Sequence, residues 1–493
     1  MKKSISKVIA AILICASIAV LISTLLAHFV IKNENINYTN FEVNYAENAT
    51  ISNLFGAPEE SITIDFDKTT EINTIAIEEN GDVIREFDIS YKNLDGEYEF
   101  IYKQDVIDVY RYCCFDMVKT TGFKIDILKT KDNANWEIKN ISMFLMGKNI
   151  DKDFNVTAYV PAQYATDPAK LHKDHFKYIN QVNIHGASNF DVDGNVFYPT
   201  GLRDNYGNHV DGRLAFEQTL ENLRNVVYPN TKIVTTFLGI EDNSPRSQNE
   251  IHMGAMRENP QRERLLDGIV DFCKTYGLDG VSFDFEHPVA LTQGDEWTVF
   301  FDFCKDLKER LIEEVGPGTL LTAAISSWAV TIPLNFDHTC LEGVIDHIEL
   351  MAYDNFDKNG NHSSFLNDCY QIDSDITIQN KLGLEQMYTN PKIVNLGLPF
   401  YSRPTDRRAY WGVYRNVAEE LGKFTNFYEN EMLGGINRGD NYYNSYQMIY
   451  DKTCYWIDRG YGGVMVWNYD CDVEPSNPLS LWGAIGKAIE SRS

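Results

Sequence analysis

From residue 154 onward, eight short apolar segments rich in β-branched residues alternate with helical stretches. They are 156–161, 179–184, 232–237, 280–286, 320–325, 347–353, 392–398 and 463–467. Helical runs at 213–227, 260–276 and 295–314 separate several of them. Strand–helix alternation repeated eight times is the sequence form of an α/β fold, the (β/α)8 TIM barrel. Such barrels typically take about 250 residues. The stretch 154–493 is longer, so inserted loops are expected, one of them over about 401–445.

The chain before the barrel reads differently. Residues 46–148 carry short runs of period-two alternation, including 62–66, 72–77, 87–91 and 122–127. Turns such as Asn80-Gly81-Asp82 and Asp95-Gly96 separate them. Short strands at that spacing predict a β-sandwich. Residues 31–45 are polar and Asn-rich, and they read as a linker.

At the N-terminus, Lys2, Lys3 and Lys7 precede an uncharged apolar run over residues 8–30. A cleavable signal core spans about 7–15 residues, whereas crossing a bilayer takes about 20. Residues 1–30 are therefore expected to be a signal peptide or membrane anchor, with the uncleaved anchor favoured. The basic flank stays inside, which places the rest of the chain outside the cytoplasm. An extracellular or cell-surface protein is expected, touching membrane only through this segment.

Charge narrows the function classes. Lys and Arg number 44 and Asp and Glu 71, for a formal net charge of −27. A surface of that sign repels phosphate, so no nucleic-acid partner is expected. The nine cysteines are scattered without CxxC spacing, which argues against a disulfide framework or a zinc site. His172-Lys173-Asp174-His175 lacks metalloprotease spacing, and both histidines are expected on a helix surface. Asp191-Val192-Asp193-Gly194 lacks the later ligands of a calcium loop and reads as a turn. No phosphate-binding loop, dinucleotide fingerprint or nucleophile elbow is present.

In a TIM barrel the chemistry sits at the C-terminal ends of the strands. The fourth segment reads Asp279-Gly280-Val281-Ser282-Phe283-Asp284-Phe285-Glu286. Strand alternation puts Ser282, Asp284 and Glu286 on one face and the apolar residues on the other. Two carboxylates at one strand end repel, which raises at least one pKa, as a general acid requires. Glu286, outermost, is the natural proton donor. Asp284, one layer deeper, is better placed to hold a substrate group. A bare Asp-x-Glu is a weak signal in so acidic a chain. Its flanking phenylalanines and its place on the fourth strand give it weight.

This segment resembles the DGxDxDxE signature of glycoside hydrolase family 18, the chitinase and endo-N-acetylglucosaminidase family. Three further motifs follow in the family's order. His347-Ile348-Glu349-Leu350-Met351-Ala352-Tyr353-Asp354 resembles its strand-six Met-x-Tyr-Asp. Residues 395–401, ending Gly397-Leu398-Pro399-Phe400-Tyr401, resemble its strand seven. Residues 462–467 resemble its strand eight, ending in the Trp that floors a sugar subsite. One departure matters: the family's central Asp is Ser282 here. The domain at 46–148 resembles, on strand order, the discoidin (coagulation-factor type C) carbohydrate-binding domains.

The resemblance implies a glycoside hydrolase with a substrate-assisted mechanism. Glu286 protonates the leaving oxygen, and the sugar's own acetamido oxygen attacks the anomeric carbon. Asp284 orients the acetamide and Tyr353 donates its hydroxyl to it. Trp467, Asp354, Met351, Tyr159 and Tyr401 are the expected substrate-binding residues, with Asp279 and Ser282 supporting. Trp328 and Trp411 are further cleft candidates. No metal and no cofactor are implied. The expected partner is an N-acetylglucosamine-containing polysaccharide or glycan, and the protein is expected to be a monomer. The expected activity is chitinase-like hydrolysis of β-1,4 linkages at N-acetylglucosamine. N-glycans and peptidoglycan remain alternative substrates. A lectin without turnover is the alternative of another class.

Overall fold

Eight parallel strands close into a barrel in this computed structural model. They are β1 (Asn155–Pro161), β2 (Gln181–Phe190), β3 (Lys232–Phe237), β4 (Gly280–Phe285), β5 (Leu320–Ser326), β6 (His347–Met351), β7 (Val394–Pro399) and β8 (Gly463–Trp467). Each pairs with its successor, and β8 returns to β1 through Gly463–Asn155 and Val464–Val156. The (β/α)8 expectation therefore holds. The structure describes residues 37–203, 208–241, 245–285, 295–326, 343–354, 369–374, 390–404, 412–421 and 441–493. The expected signal or anchor segment lies outside them. Among the described residues no helix is long and apolar enough to cross a membrane.

Helices lie outside the strands because the strands' outward residues are apolar. α1 (Gly212–Val226) is fixed by Asp211, whose carboxylate accepts from the Leu214 N–H as an N-cap. α2 (Gln261–Tyr276) ends on Gly277 in the left-handed conformation, φ 57°. α3 (Glu296–Glu314) packs Trp297, Phe300 and Phe303 inward. α4 (Tyr446–Asp458) and α5 (Leu481–Arg492) cover the closing strands. The insertion after β7 contributes a small antiparallel sheet, Tyr401–Pro404 with Gly412–Val413 and Asn441–Tyr442.

Residues 49–144 form an antiparallel sheet domain around its own apolar core of Ile62, Ile64, Ile75, Phe87, Phe123, Ile125 and Trp136. Two of its strands are longer than the alternation suggests. Residues 62–66 and 72–77 belong to one strand, Ser61–Glu79, and its partner runs from Tyr110 to Thr130. A register shift between Asp65 and Thr70 lets the pair bend without separating. The middle segment 67–69 is exposed, so nothing apolar marks the continuity of the strand.

The sheet domain is joined to the barrel by buried polar contacts. Asp451 on α4 accepts from Tyr102 Oη at 2.6 Å, Cys114 N at 2.9 Å and Gln447 Nε2 at 2.8 Å. Arg111, fully buried, lies 3.7 Å from the same carboxylate. Asp458 holds Arg492 Nε at 2.9 Å, Tyr112 Oη at 2.9 Å and Asn149 Nδ2 at 2.9 Å.

The turn at 191–194 is as expected: Asp191 Oδ1 accepts from the N–H groups of Asp193 and Asn195, and Gly194 has φ 79°. The His175 expectation is corrected. Its ring is buried against Tyr469 and Trp482, and burial pushes its pKa down to about 3, so it is neutral. The stretch 173–177 is a short 3-10 helix tucked under α5, where helical periodicity misplaces the ring. The seven described cysteines are buried.

Candidate active site

The alternation along β4 is realised. Ser282 and Asp284 point into the barrel, 0% and 5% exposed. Phe283 and Phe285 point to the helices, where Phe285 stacks on Phe300 at 4.3 Å between ring centres. The outward rings fix the strand's rotation and so aim the two polar residues inward. Asp279 lies at the opposite end of the strand. It bonds Lys232 Nζ at 3.0 Å and the Ile233 N–H at 2.9 Å, which ties the foot of β4 to β3. Glu286, Trp328 and Trp411 lie outside the described residues.

Asp284 is surrounded by residues from other strands. His185 Nε2 is 3.5 Å from its Oδ2, and Gln248 Nε2 donates to its backbone carbonyl at 2.6 Å. The His185 ring meets Trp467 edge-on at 4.6 Å. Tyr159, Asp284, Ala324, Met351, Tyr353, Asp354, Met465 and Trp467 line one cleft of about 160 Å3. Six of the residues expected at the site thus meet there: Asp284, Tyr353, Asp354, Met351, Tyr159 and Trp467. A larger cavity of about 630 Å3 opens between the segments after β1 and β8, lined by Tyr164, His172, Arg415 and Asp472 among others. It contains no residue of the β4 motif, so the smaller cleft is where the chemistry is sought.

Tyr353 and Asp354 are held firmly. Asp354 has φ 63°, a left-handed conformation rare outside glycine. Its carboxylate accepts from Tyr401 Oη at 2.8 Å and Arg403 Nε at 2.7 Å, and Arg403 Nη2 adds a second bond. These contacts hold the turn in place. Tyr401 therefore sits behind Asp354, edge-on to Tyr353 at 5.9 Å. The strand-seven Gly397 is a close approach: a Cβ there would lie 2.3 Å from the Leu350 carbonyl and 2.8 Å from the Tyr353 ring. Only glycine leaves room for that ring.

Below Asp284 the barrel interior is polar. Glu349 on β6 is fully buried. It accepts from Tyr159 Oη, from Asn183 Nδ2 at 2.9 Å and from Gln181 Nε2 at 3.1 Å. Tyr159 Oη also lies 3.3 Å from Ser282 Oγ. Burial pushes the Glu349 carboxyl up to about 7, opposed by its hydrogen bonds from Tyr159, Thr157 and Asn183; the Asp284 charge adds to the rise. His252, buried beside Phe190 and Phe285, is pushed down to about 4 and is neutral. Sequence reasoning missed Glu349 and His185. The signal for Glu349 was its place two residues before Met351, on the inward face of β6. His185 carried none, because β2 runs on to Phe190 and past the apolar segment.

Residues 135–472 match the family described as Glycosyl hydrolases family 18. Among curated relatives, a probable endochitinase of Caenorhabditis elegans is 24% identical over 264 residues, 45% of this chain and 42% of that protein. An endochitinase of Brugia malayi is 24% identical over 312 residues, 54% of this chain and 59% of that one. The chain thus spans roughly half the length of these relatives. Among solved structures, the fold resembles a family 18 chitinase from the chitin utilization locus of Flavobacterium johnsoniae. The TM-score is 0.51 at 21% identity, covering 69% of this chain and 94% of that one. A second is catalytic domain 2 of the Ostrinia furnacalis Group II chitinase, with TM-score 0.52, 16% identity, and 69% and 98% covered.

Proposed function

Since the chain belongs to glycosyl hydrolase family 18, we propose that it hydrolyses β-1,4 linkages at N-acetylglucosamine with retention of configuration, as a chitinase does. The observation that carries this reading is the meeting of Asp284, Tyr353 and Trp467 in one cleft, with Glu286 two residues beyond Asp284. The endochitinases among its relatives support the same substrate class.

The reaction runs in two steps. Glu286 gives its proton to the glycosidic oxygen. As the C1–O bond breaks, the carbonyl oxygen of the sugar's own 2-acetamido group bonds to C1, giving an oxazolinium ion. Asp284 accepts the acetamide N–H and its charge opposes the positive charge that develops. Tyr353 donates its hydroxyl to the acetamido oxygen. Glu286, now a carboxylate, takes a proton from water, whose oxygen bonds to C1 and reopens the ring. The indole of Trp467 offers its apolar face to the sugar. No metal and no cofactor enters either step. The apolar segment over residues 8–30 supports action outside the cytoplasm, secreted or at the cell surface. The sheet domain is proposed as a discoidin-like carbohydrate-binding module.

A substrate panel tests the reading. Chromogenic glycosides of N,N′-diacetylchitobiose and N,N′,N″-triacetylchitotriose are run beside their de-N-acetylated counterparts and a high-mannose glycoprotein. Release from the acetylated oligomers alone is expected. Equal release from the de-N-acetylated forms contradicts substrate assistance. Glycan release from the glycoprotein alone moves the protein to the endo-N-acetylglucosaminidases.

A further inference from the structure

The β4 motif places a neutral hydroxyl, Ser282, next to Asp284 on the inward face. The second carboxyl of the described barrel interior comes from β6. Glu349 is register-paired with Ala324 on β5 and Asn395 on β7, neither of which titrates. Facing it across the interior are Thr157 and Tyr159 from β1, Gln181 and Asn183 from β2, and Ser282 and Asp284 from β4. Its titratable neighbours are therefore Tyr159 and Asp284, with His185 beyond, against Asp284. Among the described residues no Lys or Arg forms an ion pair with it.

Two buried carboxylates in one barrel interior cannot both hold their charge cheaply. The proton goes to the one whose ionised form is less well solvated. Glu349 is fully buried, whereas Asp284 opens on the cleft. A connected path joins them: Glu349 bonds Tyr159 Oη, Tyr159 Oη lies 3.3 Å from Ser282 Oγ, and Ser282 precedes Asp284 on the same strand face. The Tyr159 ring also packs on Trp467, with 5.6 Å between ring centres, so a shift of Tyr159 reaches the sugar floor.

We propose that Glu349 is a positioning residue for the reaction: it takes up the interior proton in place of Asp284, leaving Asp284 ionised, and it sets Tyr159 and Ser282 beneath the substrate. This rests on the family 18 reading of Asp284 as the charged partner of the acetamide. It gives the shortened β4 motif a second carboxyl from a different strand. Glu349 then deprotonates near neutral pH.

The experiment combines an infrared titration with kinetics. In the wild-type minus Glu349→Gln difference spectrum, a protonated-carboxyl band should disappear with a midpoint near pH 7, while Asp451, also pushed up to about 7, contributes equally to both proteins and cancels. Tyr159→Phe removes a donor that favours the ionised form, so its midpoint should move to higher pH. This variant also reads the proposal if Glu349→Gln fails to fold. In turnover, Gln imitates the protonated carboxyl. Glu349→Gln should therefore match the wild-type kcat/KM below pH 6 within about threefold and part from it above pH 7. Glu349→Asp should restore a pH-dependent bend. A difference band that titrates in the ordinary carboxylate range overturns the proposal. So does a Glu349→Gln profile parallel to wild type at every pH. If no substrate is turned over, the infrared titration still decides on Glu349, so failure of the hydrolase reading is separable.

Discussion

Replacing Asp284 with Asn is expected to lower kcat by about 10²–10³-fold while leaving the fold intact. Asp284 is 5% exposed, on the inward face of β4, and the amide has the same shape. On the proposed mechanism the substitution removes the charge that opposes the forming oxazolinium and the acceptor for the acetamide N–H. Both interactions strengthen towards the transition state, so the loss falls on kcat more than on KM. His185, 3.5 Å from Oδ2, keeps a partner in the Asn side chain, which limits rearrangement. Steady-state kinetics on a chromogenic diacetylchitobioside measure this. A variant within threefold of wild type in kcat would remove Asp284 from the mechanism.

The second large effect is on stability. Asp451→Ala is expected to cost about 3–5 kcal/mol, because it breaks a fully buried polar cluster that includes the Arg111 guanidinium at 3.7 Å. It also removes the acceptor of Tyr102, Cys114 and Gln447 at the joint between the sheet domain and α4. Burial pushes the Asp451 carboxyl up to about 7 against Arg111 and these hydrogen bonds. The sign of the pH effect follows. The folded state holds this proton more tightly than the unfolded chain, so the stability it confers is fully present below pH 4. That stability is lost as pH rises through 7. Asp451→Asn, which cannot titrate, should show a flatter dependence over that window. Urea denaturation at pH 5 and pH 8 reads both. An Asp451→Ala midpoint equal to wild type would mean the joint carries no load.

The joint also shows what a sequence can carry. Nothing local links Arg111 to Asp451, 340 positions apart, because a buried ion pair leaves no period in either segment. The barrel was legible because eight strands repeat one pattern. The β4 face was legible because Ser282 and Asp284 alternate with phenylalanines whose only outlet is the helix layer. Trp467 and Tyr353 followed from family motifs at strand ends. Glu349 was read only as a letter of such a motif. Its role depends on Tyr159, Gln181 and Asn183, which come from two other strands and meet it only once the barrel closes. The strand Ser61–Glu79 was read as two because its exposed middle segment interrupts the apolar alternation, and of its partner Tyr110–Thr130 only 122–127 was read.

On the proposed mechanism the carboxyl of Glu286 is the acid and then the base of a substrate-assisted hydrolysis. The most direct measurement is release of chromophore from a diacetylchitobioside by the wild type and by Glu286→Gln, with thermal melts to confirm that both are folded. Turnover by the wild type and a loss of about 10²–10⁴-fold in the variant are expected. Turnover that survives Glu286→Gln unchanged would contradict it.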